Sequence, residues 1–220
     1  MGDKLRLLFS KTGKAKYISH LDMMATMRRA LLRSGVRLRY SEGFNPHPYM
    51  SAALPLPVGC GSICELLDFG TTDEPLPGGL PKLITAALPE GLEVLDAYKS
   101  ECKFSGIAWI ELRGALYYDR EIPQSAAERM AERFNAESIV ILKKTKRGES
   151  DIDIAHHIRD VEIFGKHDMI TIAAKVSAQN PTINTDNLIS AIDGEYIDMA
   201  PDFSLFTRIE IFDEDMNVYR

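Results

Sequence analysis

Residues 4–35, KLRLLFSKTGKAKYISHLDMMATMRRALLRSG, change their hydrophobic period partway along. Lys4 to Ser10 alternates for most of its length and reads as a strand. Lys11 to Lys16 carries three lysines and a glycine and reads as a basic loop. Ser19 is a good helix N-cap, and Asp22 three residues on completes capping-box spacing. The helix runs to about Ser34, where Gly35 is placed to end it. At 100° per residue Met24, Met27 and Leu31 form one apolar stripe. Asp22, Arg29 and Arg33 lie opposite, with Arg28 at the boundary.

The remainder extends this strand–helix beginning. Val36 to Ser41 and Tyr49 to Leu54 read as extended segments, Ile63 to Phe69 as a strand, Leu80 to Leu88 as a short helix, and Leu92 to Tyr98 as a strand. The order is βαββαβ. It then recurs: strand Ile107 to Leu112, helix Gln124 to Phe134, strand Ser138 to Lys143, renewed alternation at Ile152 and Ile154, strands Val161 to Phe164 and Met169 to Val176, helix Thr185 to Ile192, strand Phe203 to Phe212. The recurrence predicts an α+β protein of two tandem ferredoxin-like units with antiparallel sheets. They cover 1–103 and 104–220, with the boundary near Ser100 to Phe104.

Ser41-Glu42-Gly43-Phe44-Asn45-Pro46-His47-Pro48 is the stiffest stretch. Its two prolines fix φ and push Asn45 and His47 towards extended geometry. Gly43 permits a backbone conformation closed to other residues. The loop presents Phe44, Asn45 and His47 at set angles. One aromatic face, one amide and one imidazole suit a planar polar partner such as a nucleobase. His20 falls in the first helical turn. With His47 it makes a candidate acid–base pair for metal-independent phosphodiester cleavage, with Lys11 or Lys16 on the anion.

Composition narrows the classes. The net charge of −6 conceals ten Lys/Arg against three Asp/Glu in residues 1–50. A basic front on an acidic body suits a polyanion docked on one face. No apolar run reaches the roughly 18 residues of a membrane span, and the N-terminus lacks an apolar signal segment. Cys60, Cys64 and Cys102 have no framework spacing and read as reduced thiols of a cytoplasmic protein. Cys60-x₃-Cys64 supplies too few ligands for structural zinc, so no metal is expected. The sequence contains no P-loop, no G-x-S-x-G and no three-cysteine cluster motif, and no cofactor is expected.

Four strings carry a resemblance. They are Lys11-x-Gly13, Tyr17-Ile18-Ser19-His20-Leu21-Asp22-Met23-Met24, Tyr40 to Pro48, and Leu54-Pro55-Leu56-Pro57-Val58-Gly59 with Ser62 and Glu65. Over residues 4–69 the chain resembles the radical-SAM-linked family of uncharacterised bacterial proteins, domain of unknown function 2344. The resemblance implies a helper of a radical SAM enzyme, in some members one that binds cobalamin, acting on RNA or the ribosome. The combined expectation is an accessory or substrate-recruiting protein that binds structured RNA, either tRNA or ribosomal RNA. Lys11, Lys14, Lys16 and Arg28 are expected on phosphates. His20, Ser41, Phe44, Asn45 and His47 are expected to line the recognition pocket, with Glu65 orienting a histidine. The alternatives are the His20/His47 endoribonuclease and a docking module that meets the radical SAM enzyme through a Met-rich surface.

Overall fold

The computed structural model describes residues 4–72, 78–100, 102–123, 125–145, 148–166, 168–193 and 199–220. The chain divides into two α+β units, one of residues 1–106 with Arg220 and one of residues 107–219. Each is built on an antiparallel sheet.

The first unit runs β1 (Lys4–Lys11), a 3₁₀ turn (Gly13–Tyr17), α1 (His20–Arg33), β2 (Met50–Ala52), β3 (Gly61–Gly70), α2 (Leu80–Ala86) and β4 (Leu92–Lys99). Its strand order is β4-β1-β3-β2, with every pairing antiparallel. The odd residues Leu5, Leu7 and Phe9 of β1 face the helices with Leu67 and Phe69 of β3. Met23, Met27, Ala30 and Leu31 of α1 and Leu80 and Ile84 of α2 close over them. This is what alternation at period 2 and a stripe at period 3.6 build when packed together.

α1 starts where the capping box puts it. The Ser19 hydroxyl oxygen accepts from Asp22 N–H at 3.1 Å and donates to the Asp22 carboxylate at 2.7 Å. The loop before it is tied down by Thr12 N–H donating to Gly91 O at 2.8 Å. Gly91 has φ +88°, and a Cβ there would stand 2.5 Å from Thr12 O. Only glycine permits that approach.

The reading departs from the structure at Val36 to Ser41. The segment is extended but forms only isolated bridges, Leu38 with Thr71 and Tyr40 with Pro48. Arg39 N–H reaches Gly70 O and Tyr49 N–H reaches Arg39 O, each at 2.9 Å. These bonds fold residues 37–49 into an irregular hairpin, and the ladder strand of this position is β2, three residues long. The prolines at 46 and 48 remove donors that a longer ladder would need.

The second unit runs β5 (Trp109–Tyr117), α3 (Ala126–Phe134), β6 (Val140–Thr145), β7 (Gly148–Asp153), β8 (Ile158–Lys166), β9 (Met169–Ser177), α4 (Thr185–Asp193) and β10 (Phe203–Phe212). Its sheet order is β10-β5-β9-β8, again antiparallel. β6 and β7 form a separate hairpin between α3 and β8. From the sequence Lys143-Lys144-Thr145-Lys146-Arg147-Gly148 reads as a basic turn and Gly165-Lys166-His167-Asp168 as a hairpin turn; residues 146, 147 and 167 lie outside the described residues. Among the described residues no helix is long and apolar enough to cross a membrane.

Candidate functional site

Strand register decides which of the expected residues meet. β2 is antiparallel to β3, and β3 is antiparallel to β1, so β2 runs parallel to β1. Met50 pairs with Phe69, which pairs with Leu5, so β2 begins level with the start of β1. His47 lies just before β2 and therefore at the Lys4 end. His20 follows the loop after Lys11 and lies at the other end. β1 covers eight residues, a length of about 23 Å at 3.3 Å per step. His20 and His47 thus stand at opposite ends of the sheet, and the acid–base pair over one phosphodiester does not form. The parallel course of β1 and β2, imposed by the intervening strand β3, is the reason.

The Lys11 end collects Lys11, Lys14, Lys16, His20 and Glu65. Lys11 is buried and donates through Nζ to Ile18 O at 3.0 Å. It anchors the chain entering α1 and is not presented to a phosphate. Glu65 is also buried, directly opposite Phe9 and hence on the helix-facing side. Lys14 is exposed, and Lys16 is half-buried with its ammonium 5.1 Å from the Tyr17 ring centroid. The loop of residues 54–60 joins this end through Gly59 N–H, which donates to Lys16 O at 2.9 Å. Three of the four family strings therefore gather here.

The Lys4 end collects Ser41, Phe44, Asn45 and His47. Ser41 is a staple: its N–H donates to His47 O at 2.8 Å, and its hydroxyl accepts from His47 N–H at 2.9 Å. Gly43 at φ +120° completes the loop. Phe44, Asn45 and His47 are exposed, and Phe44 is exposed completely. α1 runs from the Lys11 end back to this one, so exposed Arg28 and Arg29 lie on the half of the helix nearer the loop.

Three residues that flank the motif, Arg37, Arg39 and Tyr49, and the motif's own Tyr40 were not among the expected site residues. Arg37 is exposed, Tyr40 and Tyr49 are each more than a third exposed, and the Arg39 guanidinium carbon lies 4.6 Å from the Tyr49 ring centroid. The signal was present as Arg37-x-Arg39-Tyr40 before the prolines and Tyr49 after them. It was masked by reading Val36 to Ser41 as an ordinary strand.

The methionines of α1 serve its packing face. Met23 and Met27 are buried in the core and Met24 packs against it, because the apolar stripe of α1 is the face it needs for packing. Cys60 and Cys64 are buried at the Lys11 end, whereas Cys102 is exposed beyond β4 at the Lys4 end. Among the described residues no three His, Cys, Asp or Glu side chains gather as metal ligands.

No curated protein matches the chain. Among solved structures, a chain in the structure of an H/ACA ribonucleoprotein bound to a substrate RNA containing 2′-deoxyuridine is 10% identical with a TM-score of 0.48. It covers 93% of this chain, which in turn spans 46% of that one. DyPB from Rhodococcus jostii RHA1 is 13% identical at a TM-score of 0.23, covering 93% of this chain and 89% of its own. At these TM-scores neither likeness carries an argument. A family model matches residues 4–187, well over half of the chain, including both ends of the first sheet. The chain belongs to the family described as uncharacterized protein conserved in bacteria, DUF2344.

Proposed function

We propose that this protein recruits structured RNA for a radical SAM enzyme, gripping the RNA at the hairpin of residues 37–49. The observation that carries the RNA reading is the exposed Tyr40, Phe44 and Tyr49 on one stapled hairpin with Arg37 and Arg39. A fully exposed phenylalanine contributes nothing to a core. On a rigid loop beside arginines it makes a stacking platform for unpaired bases, worth about 1–3 kcal/mol per base. Arg28 and Arg29 extend the positive surface along α1. The radical SAM partner is supported by the sequence resemblance over residues 4–69. The strand orders β4-β1-β3-β2 and β10-β5-β9-β8 support a ferredoxin-like reading of each unit, the second with an inserted hairpin.

Lys14 and Lys16 belong to the same reading as a second phosphate contact. The 23 Å between the ends corresponds to about seven nucleotides at ~3.4 Å each along a stacked strand. Short RNA touches the hairpin alone, and longer RNA reaches both. The test is a salt titration of binding to bulk tRNA and ribosomal RNA. For about four phosphate contacts to unpaired RNA, log K falls against log salt with a slope near −3. Arg37→Ala with Arg39→Ala flattens the slope by about one to two units. Lys14→Ala with Lys16→Ala flattens it for tRNA and leaves it unchanged for a four-nucleotide oligomer. Phe44→Ala weakens binding by about 1–3 kcal/mol at unchanged slope, since stacking releases no counterions. No binding to either pool at low salt overturns the reading.

A further inference from the structure

At the foot of the hairpin the first unit has a cavity of about 290 Å³, its walls including Lys4, Arg39, Tyr49, Ser51, Asp68 and Gly70. We infer that this cavity holds one unstacked nucleotide of the bound RNA, an inference that rests on the RNA-binding reading above. Size is the first argument. Pockets that enclose drug-sized ligands run from about 300 to 1,000 Å³, so this one is matched to a single small occupant.

The wall chemistry is the second. The Arg39 guanidinium stacks on the Tyr49 ring at 4.6 Å, giving two flat surfaces in one stack. A base laid beside them extends that stack, whatever its identity. Gly70 keeps the stack tight. A Cβ there would meet Arg39 Nε at 3.2 Å and Tyr49 Cβ at 3.3 Å, so any side chain would press on both. The Ser51 hydroxyl is exposed and can both donate to and accept from a base edge or ribose.

Charge is the third. Among the described wall residues the one carboxylate, Asp68, is held by Arg6 and by Lys4. Lys4 remains half exposed, and Arg39 adds a second cation. The balance is positive, as a phosphate requires. The cavity also adjoins Pro48 and Tyr49, the descending limb of the hairpin. A strand stacked on Phe44 can turn one nucleotide inward there.

The experiment follows amide NMR shifts of the full chain on titration with 5′-AMP, GMP, CMP and UMP, alongside the RNA titration. Wild type is expected to shift at Tyr49, Met50, Ser51 and Gly70 with all four nucleotides. Ser51→Trp, on the exposed side of a short strand, fills the cavity. It is expected to abolish those shifts and weaken RNA binding about tenfold, with the salt slope flattened by no more than about one unit. Tyr49→Ala, which removes the ring, is expected to lose about tenfold. Far-UV circular dichroism confirms that each variant is folded. If RNA binds wild type and Ser51→Trp equally and no nucleotide shifts the cavity residues, the nucleotide site is wrong and the RNA reading stands. If wild type binds no RNA, both fall.

Discussion

A pair of charges inside the first unit shows how one residue's cost is fixed by its neighbours. Arg6 is fully buried and donates through Nε and Nη2 to the two carboxylate oxygens of Asp68, at 2.7 and 3.1 Å. Nη2 also reaches Cys102 O at 2.8 Å, and the guanidinium carbon lies 4.5 Å from the Phe104 ring centroid. Burying a guanidinium is tolerable only with such geometry. Asp68→Ala leaves that charge uncompensated and is expected to cost about 3–5 kcal/mol in urea denaturation. Lys4 bonds to the same carboxylate from a half-exposed position. Lys4→Ala is expected to cost no more than about 1 kcal/mol. Equal losses for the two variants would show that the buried bidentate pair is not what holds this face. Alternation in Lys4 to Ser10 made β1 legible but implied that Arg6 faces water. The pairing of Arg6 with a residue 62 positions away leaves no local trace in the sequence.

At the scale of elements, legibility followed local rules. The capped helix α1, strands β1, β4 and β10, and helix α4 all have periodic patterns, and their bounds agree with the reading to within a few residues. The β6–β7 hairpin was harder to see. β7, Gly-Glu-Ser-Asp-Ile-Asp, is almost wholly exposed, and only its far end at Ile152, with Ile154 beyond it, carries alternation that can be read. Its far end is fixed by polar chemistry instead. Asp153 accepts from Ile139 N–H at 2.9 Å and from Ala155 N–H at 3.0 Å, tying β7 to β6 and to the following 3₁₀ turn. The Ala155 bond, with help from Ser138 and Ile139, holds the Asp153 carboxyl down to about 2 from an ordinary 3.8. A depressed folded value means the contribution is complete above about pH 4 and is lost as pH falls towards 2. Wild type is therefore expected to lose stability relative to Asp153→Asn between pH 4 and pH 2, with the difference constant above that range. Urea midpoints at stepped pH check this, and a gap unchanged on acidification would contradict it.

Across the whole molecule the two units differ in charge and in what they expose. Residues 1–106 with Arg220 carry fourteen Lys/Arg and eleven Asp/Glu, whereas residues 107–219 carry twelve and 21. Most helices and strands of both halves could be read from periodicity, but the site could not. His20 and His47 are 27 positions apart in the chain and a sheet length apart in space, which only strand direction decides. The second unit has aromatic residues of its own on β8, β5 and β10: Phe164, Tyr117 and Phe203, the last two with ring centroids 6.1 Å apart. That group is the strongest rival to the hairpin as a place for RNA. Its charges are largely used internally, Arg113 on Glu111 at 2.9 Å and Lys175 on Asp160 at 2.7 Å. A phosphate chain approaching it would meet an excess of carboxylates, and repulsion of that kind removes the electrostatic share of binding. Ultraviolet cross-linking of the intact protein to tRNA, followed by peptide mapping, separates the two. Cross-links are expected on Tyr40, Phe44 and Tyr49 and to fade as salt is raised. Cross-links concentrated on Tyr117, Phe164 and Phe203 would move the RNA to the second unit and leave the hairpin without its proposed role.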